Sequence, residues 1–249
     1  MANTDALRER VAESCRVLGT LDLTKAATGH VSARIPGTNR FLMRARGDNE
    51  LGVRYTTADQ VIECDLDGKL IDARDDGVGL PIEVFIHSAV YKARPEVNSV
   101  IHMHPPTVVL FTIVDKPLLP IFGAYDPSAM RLALDGIPRF DSSVLISNPE
   151  LGAQLAATLG NSATCLMRGH GITTAGPTVE EASLYAIQLN ELAEMNYRAL
   201  LIGTPRPISE ADKKSFGSIT LKGDKQGPDG RPIGRQGALW RYYVELTGA

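Results

Sequence analysis

The sequence predicts an α/β fold, an α/β/α sandwich in which helices cover both faces of a central mixed or antiparallel sheet. Three observations support this prediction. Apolar residues recur at helical spacing near the N-terminus, strand-like runs flank an Asp-Gly turn at positions 67 and 68, and a long apolar stripe follows Thr178. Strand-like and helix-like segments alternate irregularly along the chain, without internal repeats.

The first part of the chain predicts one helix and then a β-rich region. The helix follows Thr4 as a cap and carries Leu7, Val11, Cys15 and Leu18 at helical spacing. A turn is expected at 36–39 and a hairpin around the Asp-Gly pair. Four strands are expected from β-branched and apolar runs, at 31–35, 41–44, 61–64 and 70–72.

Helices are more frequent in the remainder of the chain. Pro81 is expected to begin a helix that continues to about Lys92. The run 97–101 predicts a strand, and Pro105 with Pro106 suits the first turn of the helix that follows. A further strand is expected at 164–167, and helices are expected at 149–159 and 178–202.

The composition changes near residue 209, which divides the chain into a main domain at 1–208 and a C-terminal segment at 209–249. Glycine and lysine are frequent from Ser209 to Gly237, which predicts a mobile loop. An aromatic stretch around Trp240 follows and needs an apolar surface to pack against. That surface is either the chain's own core or a neighbouring subunit.

Composition excludes several classes of function. Hydrophobic residues make up 43% of the 249 positions, which is typical of a soluble globular protein able to bury a sizeable core. The net charge of −3 and the absence of a basic stripe argue against nucleic-acid binding. Membrane spans and a signal peptide are not expected. The three scattered cysteines predict buried thiols in a reducing cytoplasm.

Three histidines predict a metal site. His102 and His104 alternate at the end of a predicted strand, so their imidazoles share one face of the sheet. His170 follows another apolar strand and lies between Gly169 and Gly171, which permit close approach of the backbone. Three imidazoles with an open position form a catalytic site for a divalent ion. A half-buried structural role for the His-x-His pair is the alternative.

A carboxylate upstream is a candidate partner of these histidines. Glu83 lies at the start of a predicted helix, and His87 follows on the same helix face. Glu83 suits a fourth metal ligand or a proton carrier, although an acid in a first helical turn is also favoured by the helix dipole. For His87, packing or support of a ligand is expected rather than metal ligation.

Four separated motifs together resemble the class II aldolase/adducin family, over roughly residues 5 to 205. The motifs are Thr28-Gly29-His30-Val31-Ser32-Ala33-Arg34, Glu83 with His87, His102-Met103-His104-Pro105 and Arg168-Gly169-His170-Gly171. The resemblance implies a metal-dependent α/β/α domain, one divalent ion per subunit and a homotetramer with active sites at subunit interfaces. It further implies that His102, His104 and His170 are the metal ligands, and that Glu83 is the acid/base that also touches the metal.

The chain departs from the sugar-phosphate aldolases of that family where they bind phosphate. His30 replaces an Asn, Arg46-Gly47 replaces a Thr-Gly pair, and Pro81-Ile82 replaces a Ser-Ser pair. Pro81 has no amide donor, so the set of donors that a phosphate needs is incomplete. Arg44 and Arg46 alternate on one strand, and a guanidinium matches a carboxylate through paired hydrogen bonds. Exposed charges at a sheet edge are the alternative role for these arginines.

The residue pattern that these replacements create is similar to that of family members which decarboxylate hydroxylated aromatic dicarboxylates, such as a dihydroxyphthalate, or pyridine dicarboxylates. We therefore expect a carbon-carbon lyase, a non-oxidative decarboxylase of aromatic catabolism in bacteria, with zinc, manganese, cobalt or iron as the ion. Glu83 or His30 is expected to protonate the ring carbon, while Arg44 or Arg46 holds the retained carboxylate. An aldolase acting on an unphosphorylated hydroxy-keto acid or sugar is the alternative, and a non-catalytic adducin-like protein is a third possibility.

Two tyrosines complete the set of candidate residues. Tyr125 resembles in position a tyrosine that aldolases of the family use for proton transfer, with core packing as the alternative. Tyr242, together with Trp240, is a candidate to close the pocket of a neighbouring subunit.

Overall fold

A seven-stranded sheet runs through the centre of the computed structural model, which describes residues 4–71, 77–114, 116–218 and 226–249. The strand order is β3-β2-β1-β4-β7-β6-β5, and every neighbouring pair is antiparallel except β5 with β6. The strands are β1 His30–Arg34, β2 Arg40–Arg44, β3 Val61–Asp65, β4 Ser99–Met103, β5 Arg139–Phe140, β6 Thr164–Met167 and β7 Gly171–Gly176.

Helices cover both faces of this mixed sheet, so the predicted α/β/α sandwich is confirmed. One hydrophobic core joins the sheet to α1, α3, α6 and α8, and a second core on the other face joins it to α2 and α5. The helices are α1 Thr4–Thr20, α2 Val84–Ala93, α3 Pro106–Ile113, α4 Pro127–Arg131, α5 Pro149–Leu159, α6 Val179–Ile202, α7 Glu210–Ser218 and α8 Arg235–Thr247.

Side-chain caps account for where two of the predicted helices begin. The Asn148 side chain accepts the amide of Leu151 at the start of α5, and Pro149 occupies the first turn, where its missing donor costs nothing. The Thr178 side chain accepts the amide of Glu181 at the start of α6. Both helices lie within a residue of the bounds that the sequence predicts.

The structure differs from prediction in the region before β4. Helix α2 begins at Val84 and not at Pro81, because the chain makes a turn before Glu83. After the Asp-Gly turn, the chain pairs with β3 through one isolated bridge, between Cys64 and Leu70. The strand predicted at 70–72 therefore does not form among the described residues. Asp72, its last residue, lies outside the described residues.

Helix α8 in the C-terminal segment packs on the chain's own core, one of the two surfaces that the sequence left open for the aromatic stretch. Trp240 and Tyr243 of α8 are buried in the same hydrophobic core as α1 and α6. The Trp240 indole donates to Glu13, and the Tyr243 hydroxyl donates to Glu191. Residues 210–218, where a mobile loop is predicted, form helix α7 instead.

None of the described helices is long and apolar enough to cross a membrane. Cys15, Cys64 and Cys165 are buried free thiols, as the sequence predicts.

Candidate metal centre

The candidate ligands lie together where the central strands β4 and β7 meet at one end of the sheet. His102 lies near the end of β4 and His104 follows two residues later, on the face covered by α2 and α5. His170 lies in the tight turn between β6 and β7, and Glu83 immediately precedes α2. Three segments distant in sequence, namely the end of β4, the β6–β7 turn and the start of α2, thus meet at the same place.

The two glycines beside His170 have separate roles in this turn. Gly169 adopts a φ of +58°, a left-handed conformation that favours glycine. A Cβ at Gly171 would lie 2.3 Å from the Met103 carbonyl oxygen, closer than a side chain can approach. Glycine at 171 therefore lets β7 lie against the end of β4, which brings His170 to His102 and His104.

The ligand atoms of Glu83, His102, His104 and His170 all lie within 4.8 Å of one another. The Nε2 atoms of His102 and His104 are 2.8 Å apart. One Glu83 oxygen, Oε2, is 3.5 Å from His102 Nε2 and 3.4 Å from His170 Nε2. The structure thus brings together the four residues that the sequence proposed as metal ligands.

Hydrogen bonding shows that this cluster suits a cation. His102 Nδ1 lies 2.9 Å from the Ile172 carbonyl oxygen and must donate to it, so the lone pair of Nε2 faces His104. Both ring nitrogens of His170 are buried and have no hydrogen-bond partner among the described residues. A buried, unpaired lone pair is costly unless an ion accepts it, and the neutral His170 ring has one such lone pair. Three imidazoles and one carboxylate are a donor set that Zn²⁺ and similar ions bind.

The ionisation of these groups also matches metal binding. Burial is the main cause that lowers the pKa of His104 to about 4 and the pKa of His102 well below its usual range. Burial raises the pKa of Glu83, but the neighbouring His170 and His102 and the Ile146 amide outweigh it and lower that pKa to about 2. His102 and His104 are therefore neutral and Glu83 is anionic at neutral pH, the states that ligate metals.

Glu83 is held in place by a contact that the sequence did not indicate. The Ile146 amide donates to Glu83 Oε1 at 2.9 Å, which leaves Oε2 facing the imidazoles. Ile146 lies in the loop between β5 and α5, and a backbone amide has no signature in the sequence. The alternative role of Glu83, a helical acid stabilised only by the dipole, does not describe this buried position.

His30 and His87 form a second layer next to the centre. His30 pairs with His102 across β1 and β4, and their ring centroids are 5.1 Å apart. His30 Nδ1 lies 2.7 Å from His87 Nε2, and His87 is fully buried on α2. His87 therefore supports His30 instead of joining the cluster of ligand atoms.

Arg44 ends β2, whereas Arg46 lies beyond that strand in an isolated bridge with Gly79, so the two do not alternate on one strand as predicted, and both bind Glu50. Arg44 is 2% exposed and donates to Glu50, to the Thr56 hydroxyl and to the Ala27 carbonyl. Arg46 is 41% exposed, donates to Ala27 at 2.7 Å and pairs with Glu50 at 2.6 Å. Arg44 is thus a buried, fully engaged group and not a solvated edge charge, whereas Arg46 retains an accessible side.

Gly47, the residue after Arg46, lies against Val78: a Cβ there would be 3.1 Å from a Val78 methyl group. Its contribution to substrate binding stays a prediction, as do those of the two arginines.

Tyr125 and Tyr242 lie away from the metal centre of their own chain. They are 77% and 57% exposed and line a cavity of about 820 Å³ together with Phe122, Glu191 and Tyr243. None of the four candidate ligands lines this cavity. Core packing, the alternative for Tyr125, is wrong because the side chain is largely exposed.

Comparison with known proteins identifies the family. The family model of the class II aldolase and adducin N-terminal domain matches residues 9–197, about three quarters of the chain. The chain belongs to the class II aldolase and adducin family. The resemblance carried by the four sequence motifs is therefore confirmed.

Relatives of the chain include proteins named for decarboxylation. The chain is 37% identical over 198 residues to a 3,4-dihydroxyphthalate decarboxylase of Arthrobacter keyseri, a match covering 79% of each protein. It is 34% identical over 244 residues to a 3,4-dihydroxyphthalate decarboxylase of a Terrabacter species, covering 98% of each. The predicted similarity to decarboxylating members of the family is thus confirmed.

A solved structure supports the fold assignment independently. The L-fuculose 1-phosphate aldolase from Glaciozyma antarctica superposes with a TM-score of 0.78 over 98% of this chain and 90% of its own, at 21% identity. At this identity the likeness concerns the fold alone.

Proposed function

We propose that this class II aldolase family member is a metal-dependent, non-oxidative decarboxylase of a hydroxylated aromatic dicarboxylate resembling dihydroxyphthalate. One observation carries the proposal: a complete cluster of three histidines and a glutamate occurs in a chain 34% identical, over 98% of its length, to a 3,4-dihydroxyphthalate decarboxylase. A carbon-carbon lyase of aromatic catabolism in the bacterial cytoplasm is the corresponding role.

One divalent ion per subunit is proposed to bind His102, His104, His170 and Glu83. Zinc suits this donor set, and manganese, cobalt and iron are the other candidates. When bound, such an ion supplies a Lewis acid for the negative charge that develops as a carboxyl group leaves as carbon dioxide.

The roles of the chain's own residues follow from their ionisation and contacts. Glu83 is anionic and oriented by the Ile146 amide, so we assign it to holding the centre together and accepting a proton. His30 lies beside His102, where its ring can donate to a substrate oxygen or deliver a proton to the ring carbon. Arg46 and Gly47 are proposed to contact the carboxylate that is retained, and Arg44 to support Arg46 through their shared partner Glu50.

A homotetramer is proposed as the working form. Tyr125 and Tyr242 are largely exposed and line one cavity, which none of the four candidate ligands of the same chain lines. Their proposed role is to close the active site of a neighbouring subunit and bind its substrate. Sedimentation of the metal-loaded protein measures the subunit count, and a monomer at working concentration would remove this role.

Incubation of the metal-loaded protein with 3,4-dihydroxyphthalate tests the proposed reaction. Release of one carbon dioxide per monocarboxylate formed, lost in a His102→Ala variant, is the expected result. Formation of an aldehyde or a keto acid from an unphosphorylated hydroxy-keto acid or sugar, without carbon dioxide, would favour the aldolase. Protein that binds no divalent ion would favour the non-catalytic, adducin-like role.

A further inference from the structure

A continuous chain of four buried polar side chains leads from the interior to the metal centre. Tyr91 Oη lies 2.7 Å from Ser32 Oγ, which lies 2.6 Å from His87 Nδ1. His87 Nε2 in turn lies 2.7 Å from His30 Nδ1, and the His30 ring lies beside His102. All four side chains are 3% exposed or less, so each depends on the next to satisfy its hydrogen bonds.

The direction of hydrogen bonding is set at the buried end of this chain. Burial raises the pKa of the Tyr91 phenol, which therefore keeps its proton. Ser32 Oγ is the acceptor that the described part of the protein offers to that proton. The Ser32 hydroxyl must then use its own proton elsewhere. His87 Nδ1 at 2.6 Å is a much better acceptor than the Val100 carbonyl at 3.3 Å.

The positions of the ring protons on His87 and His30 follow from the Ser32 hydrogen bond. Burial lowers the pKa of His87 to about 3, so this ring is neutral and has a single proton to place. With Nδ1 assigned as the acceptor of the Ser32 proton, the single proton of His87 lies on Nε2, which then donates to His30 Nδ1. Because Nδ1 of His30 accepts this hydrogen bond, the proton of the His30 ring lies on Nε2. The side-chain hydrogen bond that the described residues show for His30 is made by Nδ1, so Nε2 is the nitrogen available to a ligand.

We propose that Tyr91, Ser32 and His87 are positioning residues that hold His30 in its Nε2-protonated tautomer, so that it presents a hydrogen-bond donor to an anionic oxygen of the substrate. Imidazole otherwise exchanges between two tautomers, one of which would turn a lone pair towards that anion and repel it. The direction of the chain thus makes His30 selective for a carboxylate or phenolate oxygen. The nature of this ligand rests on the proposed function, whereas the tautomer does not.

Nitrogen NMR of the zinc-loaded protein tests the tautomer directly. The chain has five histidines, so histidine-specific ¹⁵N labelling gives a simple spectrum, and His30→Gln identifies the His30 signals by their loss. The Nε2-protonated pattern is expected for His30 in the unmodified protein. A His30 ring protonated on Nδ1 would overturn the proposal.

Two variants test whether the chain causes this state. Tyr91→Phe removes one buried hydroxyl and lets Ser32 accept as well as donate, so His30 is expected to show a mixture of tautomers. Ser32→Ala removes the donor to His87 and should have the same effect, and Tyr91→Phe decides the outcome if Ser32→Ala does not fold. Tyr55→Phe is the matched control, since Tyr55 is 58% exposed, and should leave the spectrum unchanged. An unmixed Nε2 tautomer in Tyr91→Phe would overturn the role of the chain.

Activity provides a separate measurement on the same proteins. With 3,4-dihydroxyphthalate, Tyr91→Phe is expected to lower kcat/KM by about ten- to a hundredfold, the loss typical of a weakened hydrogen bond to a charged group. A shifted tautomer with unchanged kcat/KM would overturn the link to substrate. If no protein releases carbon dioxide while the tautomers respond as expected, the proposed function fails and the assignment of the tautomer stands.

Discussion

The pairing of Arg44 with Glu50 makes a quantitative prediction about stability. Arg44 is 2% exposed and Glu50 is 13% exposed, so Glu50→Gln leaves a guanidinium charge buried without its counter-charge. Breaking a buried pair in this way costs about 3–5 kcal/mol, and the lower limit applies here because Thr56 and the Ala27 carbonyl still accept from Arg44. For a chain of this length, about 3 kcal/mol corresponds to a fall in Tm of roughly 6–12 °C.

The same strand offers a matched control. Arg40 of β2 pairs with Glu63 at 3.0 Å, but its side chain is 52% exposed. Glu63→Gln should therefore cost less than about 1 kcal/mol. Denaturant unfolding of both variants at one protein concentration measures the difference. Equal costs would refute the account of Arg44 as a buried charge that depends on Glu50.

Three further predictions concern acid, the C-terminal helix and the metal ligands. Metal-free protein should lose stability as pH falls from 6.5 towards 3, because His87 has a folded pKa of about 3 and becomes protonated only on unfolding. At pH 5 the contribution of His87 to this loss is about 2 kcal/mol. If His87→Gln showed the same dependence of unfolding free energy on pH as the unmodified protein, this prediction would be contradicted. Trp240→Ala should cost about 3–5 kcal/mol in denaturant unfolding, and Leu246→Ala, 57% exposed on the same helix, less than about 1 kcal/mol; similar losses would mean that α8 is not docked on the core. Glu83→Gln should weaken zinc binding at least about tenfold in a competition with a chromogenic chelator, and unchanged affinity would remove Glu83 from the ligand set.

Local patterns were sufficient to propose the three histidines as candidate ligands. The alternation of side chains along a strand places His102 beside His104 whatever surrounds them. Glycines on both sides of His170 indicated close backbone approach, and the structure shows that approach at Gly171. Family motifs then supplied Glu83, which lies too far along the chain for spacing alone to connect it.

Contacts between distant segments could not be predicted in the same way. Glu50 lies in a loop, and only the fold brings it to both arginines. Strand β7 was not predicted, because Gly171–Gly176 lacks the apolar alternation of a strand, yet its Ile172 carbonyl orients His102. The mobile loop predicted at 209–237 was wrong for residues 210–218, which form a helix and contain one glycine, Gly217.

Metal binding is the central claim, and X-ray absorption of the zinc-titrated protein tests it most directly. We predict one zinc ion per chain, coordinated by three imidazole nitrogens and one carboxylate oxygen, with the loss of one imidazole from the spectrum of His170→Ala. Failure to bind zinc, manganese, cobalt or iron, or an unchanged zinc coordination shell in His170→Ala, would contradict a centre built from His102, His104, His170 and Glu83.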